Sequence, residues 1–180
     1  MAPIRTARLT LRPWRETDRP AFAALNADPE VAADLGGPLS RAASDAKLDR
    51  YRSTFERHGF SRLAIEDARQ AFVGYSGIVP ARPGHPLGPH IEIGWRLVRT
   101  AWGKGYATEA ACAVLQDAFG RLGVREVLAY TAADNARSQA VMARLGMQRD
   151  PSRDFDAPHG DRPWHGLVWV AEMRRDVTQV

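Results

Sequence analysis

The stretch from Ile91 to Ala110, IEIGWRLVRTAWGKGYATEA, constrains this 180-residue chain more than any other. Ile91, Ile93, Trp95 and Leu97 alternate with Glu92, Gly94 and Arg96, a spacing that predicts a strand with two unlike faces. Gly103 and Gly105 then bracket Lys104. Beyond them Ala107, Ala110, Ala111, Val114, Leu115, Ala118, Phe119 and Leu122 recur at three- and four-residue spacing. That is a helix with one buried stripe, and Gly123 stands where a glycine stop is expected. Val127–Tyr130 is a short apolar run suited to a second, buried strand. The predicted unit is strand, glycine turn, helix, strand.

Such a junction aims unpaired backbone N–H groups and the positive end of a helix dipole at one place, which makes it an anion site. Glycines there let the chain pass close to a phosphate group. The spacing does not fit the common phosphate turns. A Walker loop needs G-x-x-x-x-G-K-[ST], whereas Lys104 falls between the glycines. A dinucleotide fingerprint needs a third glycine or alanine where Thr108 stands, and it usually opens the first βαβ unit of a chain. A nucleophile elbow fails as well, because the segment from Gly74 to Gly77 lacks the G-x-S-x-G spacing.

The chain resembles the GNAT superfamily of acetyl-CoA-dependent N-acetyltransferases, and within it the RimJ/RimL-like branch. The resemblance rests on EIGW at 92–95, WGKGYATEA at 102–110 and NARSQAVMARLGM at 135–147, which follow in the family's order. The opening LTLRPWRETD at 9–18 looks like the branch's first strand and helix entry, while residues 28–60 and 80–90 carry little signature. The fold implied is mixed α/β: a mostly antiparallel sheet of about seven strands, whose fourth and fifth form a splayed parallel pair, flanked by helices. Residues 1–180 are expected to form one such domain.

By resemblance, the backbone of Trp102, Gly103, Lys104, Gly105, Tyr106 and Ala107 holds the pyrophosphate of acetyl-CoA, and the strand end at Leu97 and Val98 pairs with the pantetheine amides. That pairing borrows the hydrogen bonds of an unfinished sheet edge. Thr100 departs from the Gln or Arg that the superfamily often places three residues before the first turn glycine. Lys104 either adds charge near a phosphate or points to water. Asn135 matches a cofactor-contacting asparagine, and it is also a preferred helix N-cap.

Two residues are candidate catalysts. Many superfamily members carry a tyrosine where Met142 stands, and a thioether donates no proton. The branch has a serine matching Ser138 as the acid for the leaving thiolate, and the alternative is a serine bonded back to its own helix. Glu92, on the strand face opposite Ile91 and Ile93, is the candidate base, with pairing to Arg96 as its structural alternative. An α-amine titrates near ~8 and a lysine near ~10.4, so a weak or water-mediated base suffices for an N-terminal acceptor.

Elsewhere the pattern predicts a strand at 7–13, helices near 18–26 and 28–34, and a longer helix from a Ser40 cap to about Arg57. A hairpin over 62–66 and 70–79 turns near Asp67–Arg69, and a Pro/Gly loop spans 81–89. A helix begins at Asn135, and a last strand covers 166–173. The segment 155–165, rich in proline and polar residues, reads as a loop that shapes an acceptor site. Trp14, Trp95, Phe155, Trp164 and His165 are either pocket or core.

The formal charge of +4 is spread along the chain without a run of like charges, which argues against nucleic acid as a partner. The five histidines lack metal spacing, so no metal is expected. The single Cys112 fits a reducing compartment and reads as a small packed residue. No apolar run reaches membrane length and the start lacks a signal-peptide core, which points to the cytoplasm. Expected partners are acetyl-CoA and an amine acceptor, either a peptide N-terminus or a small amine, and a homodimer is left open. A non-catalytic acyl-CoA-binding module would keep the turn and tolerate loss of Glu92 and Ser138.

Overall fold

The computed structural model describes residues 2–33, 36–159 and 162–173. The first half of the chain runs β1 (Ile4–Arg5), β2 (Leu9–Arg12), α1 (Arg19–Ala27), α2 (Pro29–Ala32), α3 (Arg41–His58), β3 (Arg62–Asp67) and β4 (Phe72–Pro80). Then come β5 (Ile91–Leu97), α4 (Tyr106–Gly120), β6 (Glu126–Thr131), α5 (Ala136–Arg144), β7 (Gln148–Arg149), β8 (Phe155–His159) and β9 (Arg162–Glu172). The sheet order is β1-β2-β3-β4-β5-β6-β9-β7, with β8 paired to β9. All pairs are antiparallel except β5 with β6.

Local chemistry explains most of the boundaries. Asp28 caps α2, accepting from the N–H groups of Glu30 and Val31, and the Ser40 hydroxyl caps α3 by accepting from Ala43. Gly59 ends α3 in the left-handed conformation, its N–H returning to Phe55. At the β3–β4 turn the Asp67 carboxylate accepts from the N–H groups of Arg69 and Ala71, at 2.9 and 3.0 Å.

Three sequence expectations change. The helix through 107–122 stops at Gly120, and Gly123 instead closes a tight turn that returns the Val124 N–H to Ala118. The strands number nine among the described residues, because short ribbons flank the main sheet and residues 155–159 pair antiparallel with 162–166 at the start of β9 rather than looping. Aromatic packing outweighs the prolines there: Phe155 lies 5.6 Å from Trp164 and 5.2 Å from Tyr130, ring centre to ring centre. Cys112 is exposed on α4 rather than packed.

Both faces of the sheet are covered. On one, Ile93 and Leu97 pack with Leu11, Leu63 and Ile65 against the stripe Ala110, Ala111, Val114, Leu115 and Ala118 of α4, joined by Met142 of α5. On the other, Trp14, Phe22, Leu25 and Leu48 meet Ala64 and Tyr75 beneath α1 and α3. Leu48 and Phe22 are fully buried, each worth about 1.5–3 kcal/mol of transfer free energy. Trp14 and Phe155 thus serve as core, and the Trp14 indole N–H donates to the Arg62 carbonyl at 2.7 Å.

Candidate active site

β5 and β6 pair at one point, Glu92 with Leu128, and then part. The Val98 N–H bonds the Val73 carbonyl at 3.0 Å, which sets the phase of the β4–β5 ladder. Alternation then turns the amides of Glu92, Gly94 and Arg96 towards β4, and those of Ile93, Trp95 and Leu97 towards the gap beside β6. A ligand lying in the gap meets an unpaired strand edge. One of its acceptors is already used, since the Trp102 indole N–H donates to the Leu97 carbonyl at 2.9 Å. Leu97 keeps its N–H on that edge, while both backbone groups of Val98 are engaged, its N–H with the Val73 carbonyl and its carbonyl with the Ala101 N–H at 2.9 Å.

The chain leaves this edge through a single 3-10 turn, Arg99–Ala101, that includes Thr100. It then passes Trp102, Gly103, Lys104 and Gly105 into α4. Gly103 and Gly105 have φ of 73° and 76°. Nothing lies within 4 Å of a Cβ built on Gly103, so glycine is required there by backbone conformation rather than by crowding. No side chain caps α4 at Gly105, and the first intrahelical bond from this turn is Glu109 N–H to the Gly105 carbonyl, at 3.0 Å. The N–H groups of Tyr106, Ala107 and Thr108 therefore converge without a protein cap. Lys104 is exposed, and Tyr106 and Ala107 are half-buried.

A brace that sequence reading missed holds this turn from outside. Glu109 accepts from the Thr6 hydroxyl at 2.6 Å, the Arg8 N–H at 2.9 Å and the Arg8 guanidinium at 2.7 Å. Arg8 also donates to the Lys104 carbonyl at 2.9 Å and covers the Tyr106 ring at 4.8 Å. Burial would push the Glu109 carboxyl up, but these donors outweigh it and hold it below its ordinary value.

Asn135 is the N-cap of α5, its side-chain oxygen accepting from the Ser138 N–H at 3.0 Å. Ser138 is half-buried above Val141 and Met142, and its hydroxyl has no hydrogen bond among the described residues, so it does not bond back to its helix. The Arg137 guanidinium sits 4.2 Å over the Trp102 ring, which pins the start of α5 to the glycine turn. Ser138, Asn135 and the turn thus approach one end of the gap.

Glu92 marks the apex of the gap, on the face covered by α1 and α3. Its partner is Arg62 at 2.8 Å, not Arg96. Arg62 is 7% exposed and also donates to the carbonyls of Glu92, Gly94 and Gly77. A Cβ on Gly94 would meet its guanidinium at 2.9 Å, so glycine is what lets Arg62 lie flat on β5. Arg96 is 8% exposed and donates to the Asn26 side-chain oxygen at 2.9 Å, which also accepts from Lys47 at 3.3 Å. The available signal was arginine within strands covered on both faces, where a charge needs a partner.

A surface groove of about 610 Å³ opens beside the end of β5, lined by Ala21, Leu25, Val31, Phe72, Val98 and Thr100 among others. At its rim Arg99 bonds Asp28 at 2.8 Å and also pairs with Glu30. His165, once a pocket candidate, is exposed and bonds Asp156 at 2.8 Å. Among the described residues no group of three or more His, Cys, Asp or Glu could hold a metal ion, and no helix is long and apolar enough to cross a membrane.

Comparison with known proteins adds the family. A model of the acetyltransferase (GNAT) domain matches residues 8–148. The FsC-acetyl coenzyme A-N(2)-transacetylase of Aspergillus fumigatus is 31% identical over 151 residues, covering 80% of this chain and 64% of that protein. An acetyltransferase structure from Agrobacterium tumefaciens superposes with a TM-score of 0.79 at 31% identity, covering 96% of this chain and 95% of the other. Two structures at 16% identity and a TM-score of 0.75 share the fold. They are RimL, a ribosomal L7/L12 α-N-protein acetyltransferase, with coenzyme A (96% and 98% covered), and a Vibrio cholerae spermidine N-acetyltransferase with CoA and spermine (93% and 97%). A half-open parallel pair leading into an uncapped glycine turn, and a family match over most of the chain, agree: the protein belongs to the GNAT family of acetyl-CoA-dependent N-acetyltransferases.

Proposed function

We propose that the protein moves an acetyl group from acetyl-CoA directly to the α-amine of a protein or peptide N-terminus, in the manner of the RimJ/RimL-like branch it resembles. The observation that carries this reading is the parting of β5 from β6 after Glu92, next to an open groove instead of an acidic cleft. Acidic side chains around that face are already paired: Asp18 and Glu66 with Arg12, Glu92 with Arg62, Asp28 with Arg99. A polycationic amine finds no free carboxylate among them, whereas an extended peptide fits the groove.

In this reading the N–H groups of Gly103 through Ala107 hold the donor's pyrophosphate, with Lys104 adding charge, while the Trp102 N–H stays with the Arg99 carbonyl at 3.0 Å; the strand end at Leu97 and Val98 meets the pantetheine arm through the Leu97 N–H. Asn135 fixes the start of α5 beside them. The thioester supplies the activated acyl group. Glu92, anchored through one oxygen by Arg62, accepts the amine proton directly or through water. Ser138 offers its hydroxyl proton to the departing thiolate.

The test is thiol release from acetyl-CoA with peptides of varied first residue, set against diamines and aminoglycosides. Peptides turned over faster than either, with the acetyl group mapped to the α-nitrogen, is the expected result. Preference for small amines would refute the acceptor while leaving the transferase.

A further inference from the structure

Beneath α1 and α3 a buried cation, Arg96, and a half-buried one, Lys47, have no carboxylate partner among the described residues. Arg12, nearby on the same face, is fully compensated by Asp18 and Glu66, and Arg62 by Glu92. Among the described residues Arg96 and Lys47 have only neutral oxygens between them, the Asn26 amide oxygen that both share and the Tyr75 hydroxyl that Lys47 also meets. The Asn26 amide nitrogen is committed to the Phe22 carbonyl at 2.8 Å and the Ser44 hydroxyl at 3.1 Å, so the oxygen must face both cations. Their remaining neighbours are ring faces: Lys47 lies 5.6 Å from the Tyr75 ring and 6.0 Å from Phe22, and Arg96 lies 5.9 Å from Tyr75. Rings, an amide and a hydroxyl do not repay the desolvation of two charges.

The local field shifts two protonation equilibria. Burial lowers the Lys47 ammonium below its ordinary value. Burial raises the Tyr75 phenol, but Arg96, Lys47 and Arg62 outweigh that and bring it down to about 8. The cluster draws negative charge even from a phenol. It lies on the face of Glu92 and Gly94, both part-exposed, where the acceptor amine arrives if the proposed function holds.

We propose that the acceptor carries a carboxylate, and that Arg96 and Lys47 are the subsite that receives it. The chemistry is an amine beside an acid, as in a free amino acid or a peptide with an acidic first residue. The subsite selects the acceptor and leaves the acyl transfer itself to other groups. Asn26 positions both cations, and Arg62 stays with Glu92.

Matched acceptors test this: glycine against glycinamide, Asp-Ala-Ala-amide against Asn-Ala-Ala-amide, and putrescine as the cation. The acid of each pair that serves should show a kcat/KM about tenfold or more above its amide, and Lys47→Met or Arg96→Gln should erase the difference. Lys47→Glu, at a half-buried position, should turn the preference towards putrescine and covers the case in which the Arg96 variant fails to fold. The peptide pair and the free amino-acid pair separate the two sources. Amides or putrescine performing as well as the acids would overturn the subsite while leaving an acetyltransferase.

Calorimetry with CoA-loaded protein covers the opposite failure. If no amine is acetylated, tighter binding of N-acetylglycine than of N-acetylglycinamide, lost in Lys47→Met, would keep the subsite and remove the transferase reading. Equal binding of the two, or none, would remove the subsite.

Discussion

Arg12 is 5% exposed on β2, with its guanidinium forked onto Asp18 at 2.7 and 2.8 Å and onto Glu66 at 2.5 Å. Burial pushes the Asp18 carboxyl up, but Arg12 and the Arg15 N–H outweigh it and leave it below its ordinary value. A carboxyl depressed in the folded state stabilises the protein above its unfolded value near ~3.9, and that contribution is lost as pH falls through the folded value. Asp18→Asn leaves Arg12 with Glu66 alone and should cost about 2 kcal/mol in urea unfolding at pH 7, with a difference that shrinks on acidification. Ser138 answers to a different measurement. Its hydroxyl is not used to hold α5, so Ser138→Ala should leave melting and acetyl-CoA affinity unchanged. Turnover under conditions where chemistry is limiting should fall by about 10²-fold or more, by the usual size of a general-acid contribution. An unchanged rate would reduce Ser138 to packing.

The turn between β5 and α4 was legible because its determinants are local: alternation, two glycines and a helical stripe all lie within 35 residues. The structure adds a conformational reason for the glycines. At Gly105, φ is +76° and the nearest atom to a built Cβ is Arg8 at 3.4 Å, so the demand is conformational. Gly105→Val places a β-branched residue there at a strain of roughly 1–2 kcal/mol, a modest loss for a domain of this size. The variant should fold, melt a few degrees lower and lose acetyl-CoA binding by calorimetry; retained affinity would place the grip elsewhere. The antiparallel pairing of β8 with β9 was not legible for the opposite reason. Its prolines and histidines carry a loop signature, and what makes them strands is the meeting of Phe155 and Trp164 with Tyr130 on another strand. The Arg62–Glu92 pair was hidden in the same way, since sequence shows an acid at 92 but not which of several arginines the register delivers to it.

At the scale of the molecule, β1–β5 and β6–β9 are two sheets joined by one bridge at Glu92 and Leu128, then held apart by α4 and α5. The amides of Trp95 and Leu97 face the gap, while that of Arg96 is bonded to β4. Hydrogen exchange should therefore slow at Trp95 and Leu97 when acetyl-CoA is added, with Arg96 little changed. Slowing at all three alike would mean global stabilisation and not occupation of the gap.

The clasp of Thr6 and Arg8 on Glu109 joins segments about a hundred residues apart. A fragment beginning at Leu9 would keep every glycine and every N–H of the turn, yet nothing would grip the Lys104 carbonyl or cover Tyr106 from that side. The opening residues are thus part of the turn's architecture, and trimming them is a mutation of the turn.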